Sequence, residues 1–181
     1  SISVKKRILG DNSLLSQILS LGVLAQKTLV TGNKIILAGN GGSFADAQHI
    51  CAEFVSKLNY DRPALASITL GVNGSNMSAI GNDYGFDQVF SRELQAVGSK
   101  GDLFIAISTS GNSANIINAV REAKSARITV VGLTGKSGGL LADECECIKV
   151  PDAQTMHIQE SHILIGHIIC EIAQSNQELD L

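Results

Sequence analysis

The chain has 181 residues, 44% hydrophobic and 17% charged, with a formal net charge of -3. That length suits one domain, residues 1–181, with a substantial core. The charge gives no general electrostatic reason to bind nucleic acid or an anionic membrane. Aromatic residues are 4% and Trp is absent, which argues further against a base-stacking surface.

Cys51, Cys145, Cys147 and Cys170 form neither a dense disulfide framework nor a paired CxxC zinc motif, so they are expected as reduced structural thiols. Cys145 and Cys147, two apart, share one face of a strand. No opening stretch combines a basic region, an apolar run and a cleavage site, so a cytoplasmic location is expected. The apolar stretches are interrupted before membrane-spanning length.

Residues 13–30 place Leu14, Leu15, Ile18, Leu21, Leu24 and Leu29 at helical spacing, closed by "TGNK". "KIILAG" reads as a buried strand, and Ser43 or a neighbour caps the helix that carries His49 and Glu53. "ALASITL" predicts a second strand near residues 64–70, and "GNDYG" a loop between short helices. "DLFIAIS" is a third strand, followed by the turn "TSGNS" and a helix over residues 113–124. "ITVVGLT", the turn "GKSGG", a last strand "CECIKV" and a long helix over residues 154–175 complete the chain, with Pro151 at the boundary. Strands separated by helices predict an open α/β domain with a mostly parallel sheet covered on both faces.

Three loops carry candidate binding chemistry. Asn40-Gly41-Gly42-Ser43 sits where a strand hands over to a helix, so glycine backbone and a helix N-terminus favour an anion. It is neither the dinucleotide fingerprint nor the P-loop pattern, and a tight turn explains it as well. Ser108-Thr109-Ser110-Gly111-Asn112-Ser113 offers a run of hydroxyls and an amide at a second such junction, more than capping alone requires. Asn82 and Asp83 add a polar edge that an Asx-turn also explains. Lys136 reads as an exposed turn lysine.

His49 and Glu53, four apart, share a helical face and suit either a divalent metal or proton transfer. A satisfied polar pair between helices is the bland alternative. The last helix adds His157, Gln159, Glu160, His162 and His167.

The segments "AGNGGSFADAQHICAEF", "SAIGNDYGFDQVFSRE", "GDLFIAISTSGNSANII", "GLTGKSGG" and "HIQESHILIGH" resemble, in this order, the sugar isomerase (SIS) domain family, and within it the bacterial phosphoheptose isomerases. The resemblance implies a three-layer αβα sandwich around a five-stranded parallel sheet, assembled as a homotetramer. It implies a phosphate cradle at Ser108, Thr109, Ser110 and Ser113. Sugar contacts fall on Asn40, Gly41, Gly42, Glu53, Asn82, Asp83 and Gln159. Glu53 and His167 take the acid–base positions, and His49, Glu53, Gln159 and His167 the zinc positions. Gln159 and His167 are eight residues apart, roughly 12 Å along an ideal helix and about 80° around it, so a purely local metal site on that helix is disfavoured.

Two residues depart from the family pattern. Lys57 stands where arginine is common, losing a bidentate fork. His157 replaces the arginine that commonly precedes "IQE". The opening helix is short for the family and the chain begins without methionine, so a few residues are expected to precede Ser1 in the full protein.

The implied reaction interconverts sedoheptulose 7-phosphate and D-glycero-D-manno-heptose 7-phosphate for bacterial heptose-containing glycans, without a redox cofactor. A carboxylate suits proton abstraction toward an enediol, and zinc would orient adjacent oxygens. A Glu53 that ligates zinc throughout is a poorer base. The alternatives are isomerisation of another phosphosugar and a non-catalytic SIS protein that binds the DNA-replication initiator. The spread of apolar residues over 162–173 implies burial of the last helix on several sides, which a large single-domain core could absorb; the resemblance and the opening apolar helix favour subunit contacts instead.

Overall fold

The computed structural model describes residues 1–175. Five strands, β1 (Ile35–Ala38), β2 (Ser67–Thr69), β3 (Leu103–Ile107), β4 (Thr129–Gly135) and β5 (Glu146–Val150), form one sheet in the order β2-β1-β3-β4-β5. Every pairing is parallel, with Ile36 of β1 opposite both Ile68 and Phe104. The central strands are buried along their whole length, which is why they read as unbroken apolar runs.

Alternate strand residues feed two cores. Ile35, Leu37, Leu103, Ile105 and Ile107 point into one face and Ile36, Ala38, Phe104 and Ala106 into the other. The first face is covered by α1 (Ile2–Leu9), α2 (Asn12–Val30), α3 (Gly42–Val55) and α8 (Thr155–Gln174). The second is covered by α4 (Gly74–Tyr84), α5 (Val89–Val97), α6 (Ala114–Ser125) and α7 (Leu141–Glu144). The three-layer αβα sandwich with a five-stranded parallel sheet is therefore present as expected.

Local differences have physical reasons. The helix α1 carries too few turns to show a periodic pattern, yet Val4 and Ile8 anchor it. Strand β2 is only three residues long. "GNDYG" is not a loop: Gly81 to Tyr84 close α4, and the break comes at Gly85, whose φ of 91° favours glycine. That helix has no buried residue, so tertiary packing offered little to read in its sequence.

Helix α2, with mean hydropathy 1.3, is long and apolar enough to span a bilayer by length and composition alone. Here it packs on α8 and the sheet, burying Leu14, Ile18, Leu21 and Ala25. Helix α8 is buried along one side, while Leu164 is exposed and Ile163, Ile168 and Ile172 are half-buried.

Helices α3 and α8 run side by side in the same direction. Gly42 faces Gln159, Ile50 faces Gly166, and the Cys170 thiol donates to the Ile50 carbonyl at 3.8 Å. A β-carbon on Gly166 would collide with the Ile50 side chain, so the absence of a side chain there lets the two helices approach closely.

Candidate active site

The strand order reverses direction between β1 and β3, and in open parallel sheets ligands bind in the crevice beyond the carboxyl ends of the strands at that point. The loops that leave those two strands are Asn40–Gly41 and Ser108–Ser113. Each leads into a helix whose N-cap, Gly41 for α3 and Ser113 for α6, makes no side-chain cap hydrogen bond. The first-turn amides of α6 therefore remain available to an anion, whereas in α3 the Ser43 and Phe44 amides donate to the Asn40 and Gly41 carbonyls and leave the Gly42 amide.

A reciprocal amide pair joins the two loops. Asn40 Nδ2 donates to Asn115 Oδ1 at 2.8 Å, and Asn115 Nδ2 donates to Asn40 Oδ1 at 3.0 Å. Asn115 is buried in the first turn of α6. Sequence reasoning passed it over, although a buried asparagine beside two helix starts needs a partner of this kind.

Within the second loop, Ser108 is buried and its hydroxyl lies 3.1 Å from that of Ser113. Ser110 Oγ accepts the Asn112 amide at 3.1 Å, and Asn112 Oδ1 accepts the Leu140 amide at 3.0 Å. The Asn112 carbonyl oxygen is thus tied to the neighbouring loop. Gly111, at φ 69°, lies against the Gly138 carbonyl so closely that any side chain would collide with it.

Further along α3 comes the ionisable cluster. His49 Nε2 is 3.2 Å from Glu53 Oε1, one turn on, and 3.0 Å from His167 Nε2 of α8. One ligand atom from each of the three lies within 4.8 Å of the other two. Donors that share a tetrahedral ion lie about 3.3 Å apart, so the two short separations from His49 suit a divalent metal as well as a proton relay, within a looser set that spans up to 4.8 Å. Glu53 is half-buried and His49 half-exposed, so the cluster opens to solvent on one side.

Gln159 meets the N-terminal end of α3, where its amide fills the space beside Gly42. His49 lies seven residues, or about 10 Å, further along that helix. The structure thus brings together three of the four expected ligands and sets Gln159 beside the glycine loop. Between the two lies Asp46, another residue that sequence reasoning missed. Its Oδ2 is enclosed without a partner, and burial pushes its carboxyl up to about 6 despite the nearby His49.

The remaining candidates are dispersed. Asn82 donates to Asp83 at 2.8 Å, both exposed in the last turn of α4. Lys57 and Lys136 are exposed. His157 Nδ1 lies 3.8 Å from Asp152, which also pairs with Arg7 at 3.0 Å. His162 is fully buried, its Nε2 3.2 Å from the Thr134 carbonyl, and burial lowers it to about 4. It is a neutral core residue. All four cysteines are free thiols. A cavity of about 340 Å³ lined by Asp11, Gln17, Cys145 and Lys149 opens at the β5 edge and shares no residue with this site.

Two uncapped helix starts at a switch point, with an acid–base cluster along one of those helices, define a domain suited to phosphorylated sugars. The SIS domain model matches residues 8–135. Phosphoheptose isomerase of Aneurinibacillus thermoaerophilus is 55% identical over 175 residues, covering 96% of this chain and 88% of that protein. Phosphoheptose isomerase 2 of Campylobacter jejuni is 53% identical over 96% of this chain and 87% of its own length. A solved phosphoheptose isomerase from Francisella tularensis superposes with a TM-score of 0.90 at 35% identity, covering 96% of this chain and 92% of that one. The chain belongs to the phosphoheptose isomerase family of SIS-domain proteins.

Proposed function

We infer that this chain is an aldose–ketose isomerase that interconverts sedoheptulose 7-phosphate and D-glycero-D-manno-heptose 7-phosphate. The observation that carries the reading is the bonding-distance cluster of Glu53, His49 and His167 on α3 and α8, the two helices that also bring Gly42 and Gln159 together. The substrate phosphate sits on the α6 N-terminus among Ser108, Thr109, Ser110 and Ser113. Asn40, Gly41 and Gly42, with Gln159, hold the open-chain sugar, and Asn82 and Asp83 contact it at the mouth.

Glu53 removes a proton from the carbon beside the carbonyl, giving an enediol, and returns it to the neighbouring carbon. His167 passes the hydroxyl proton between the two adjacent oxygens. Such positioned acid–base groups contribute about 10²–10⁴-fold each. His49, which touches both, holds them in register. His49, Glu53 and His167, with Gln159 approaching from the glycine loop, are the residues that would hold zinc. When bound, that ion stabilises the negative charge that develops on the sugar oxygens.

The whole chain acts as one SIS domain in a homotetramer, supported by the exposed Leu164 and half-buried Ile163 and Ile168 along α8. A phosphosugar substrate suits a cytoplasmic location.

A panel of phosphosugars assayed by product-resolving chromatography, with and without zinc, tests the assignment. Sedoheptulose 7-phosphate is expected to give an aldose product, and Glu53→Gln to bind the sugar while losing about 10²–10⁴-fold in turnover. Absence of product under all conditions, or near-wild-type turnover by the variant, overturns the reading.

A further inference from the structure

The chain leaves α3 at Val55 and wanders through residues 56–66 before β2, and one side chain in that connection donates to five acceptors. Arg62 Nη2 donates to the Glu53 carbonyl at 2.7 Å. Its Nη1 donates to the Phe54 carbonyl at 2.9 Å, the Pro63 carbonyl at 3.0 Å and the Ser56 carbonyl at 3.5 Å. Its Nε donates to Gln174 Oε1 at 3.2 Å. The guanidinium thus occupies the C-terminal end of α3, where carbonyls lack intrahelical partners and the helix dipole favours a cation.

Gln174 is buried in the last turn of α8, the helix that carries His167. The same connection reaches that turn twice more. Tyr60 Oη donates to the Gln174 carbonyl at 2.6 Å, and Asn59 Nδ2 to Glu171 Oε1 at 3.4 Å. Of these three side chains only Arg62 also grips α3, and it does so at the carbonyl of Glu53 itself, while the Leu65 amide joins it on the Phe54 carbonyl at 3.1 Å. It therefore ties the ends of the two parallel helices whose relative rotation and axial register set the Glu53–His49–His167 distances.

We propose that Arg62 is a positioning residue for the isomerisation, fixing the Glu53 carboxylate against the two histidines by clamping α3 to α8. The proposal rests on the reading that these three residues are the reacting centre. It adds a specific chemical requirement: a planar, multiply donating cation. A lysine keeps the charge at the helix end but has neither the fork nor the span to reach Glu53, Phe54 and Gln174 together. The phosphate cradle, built on the loop after β3, lies outside the clamp, and Gly42 and Gln159 lie at the opposite ends of α3 and α8, so substrate affinity should depend on it little.

The test compares Arg62→Lys and Arg62→Ala with wild type, each scored per folded protomer by circular dichroism and active-site titration. A misplacement on the order of 1 Å costs about 10²-fold in rate. Both variants are therefore expected to lose about 10–100-fold in kcat with KM within about twofold. Millimolar guanidinium is expected to restore part of the activity of Arg62→Ala but none to Arg62→Lys, whose own side chain fills the site. If Arg62→Ala does not fold, the kcat of Arg62→Lys decides alone. A kcat per folded protomer equal to wild type in Arg62→Lys, or a loss confined to KM, overturns the clamp. A wild type that turns over no phosphosugar instead overturns the functional reading, so the two failures are separable.

Discussion

The two ends of the sheet treat polar groups in opposite ways. At the amino ends of the strands, Asp102 is 1% exposed and its carboxylate accepts from the Lys34 amide at 3.0 Å, the Lys34 ammonium at 2.6 Å and the Ser99 amide at 2.8 Å. Lys34 immediately precedes β1 and Asp102 immediately precedes β3, so one ion pair staples the two central strands. At the carboxyl ends of the same strands, two helices start without side-chain caps and Asp46 keeps an enclosed oxygen without a partner. Buried polar groups are ordinarily satisfied, and an exception beside a cluster of ionisable side chains leaves a position for a ligand to fill. One end of the sheet holds the fold, and the other carries the proposed ligand site.

The sharpest way to break that contrast is Asp102→Ala. It strips the partners from two backbone amides and the Lys34 ammonium together, and breaking a buried pair costs about 3–5 kcal/mol. Urea titration should show that loss, while kcat of the folded fraction stays near wild type. A large fall in kcat at unchanged stability would mean that the two ends are not separate in function.

Asn115→Ala should have a smaller effect, and one that crosses the divide. It leaves the Asn40 amide without its reciprocal partner, at a cost of about 1–3 kcal/mol. It also frees the glycine loop from the phosphate cradle, so KM should rise several-fold. Stability loss with unchanged KM would assign the pair to folding alone.

The smallest effect is a titration. His162 is held to about 4 in the fold, against 6.5 for the free imidazole, because burial opposes its charge. The unfolded chain therefore takes up a proton that the folded one refuses. The corresponding stability is complete about a unit above pH 6.5 and is lost as the pH falls toward 4, about 0.8 kcal/mol of it between pH 7.5 and 6. Denaturant midpoints over that range should slope for wild type and flatten for His162→Leu. An equal slope in both would place the titration elsewhere.

The alternating strands and the amphipathic helices were legible because each buries a run or stripe whose period survives in one dimension. The switch-point loops were legible for the same reason, since Gly41, Ser108 and Ser113 announce turns and helix starts locally. The pairing of His49 with His167 spans 118 residues, and that of Asn40 with Asn115 spans 75. Spacing within a helix could offer His49 with Glu53, but only the packing of α3 on α8 adds the third member. Arg62 gave no signal at all, because its partners are mostly backbone carbonyls, which every residue type carries.

Gly166 has a consequence for anyone wishing to tune this site. It precedes His167, contributes no donor, no charge and no surface to any ligand, and yet it sets how near α8 can come to Ile50 and so to the neighbouring His49. The gap between the two imidazoles is in effect a mechanical tolerance, machined by a missing methyl group. Adding that methyl would act like a shim driven between the helices, and cutting Ile50 back to alanine, whose β-carbon stands 3.8 Å away, would make room for it again. The reach of the chemistry could thus be adjusted from a position that no search for reactive side chains would select.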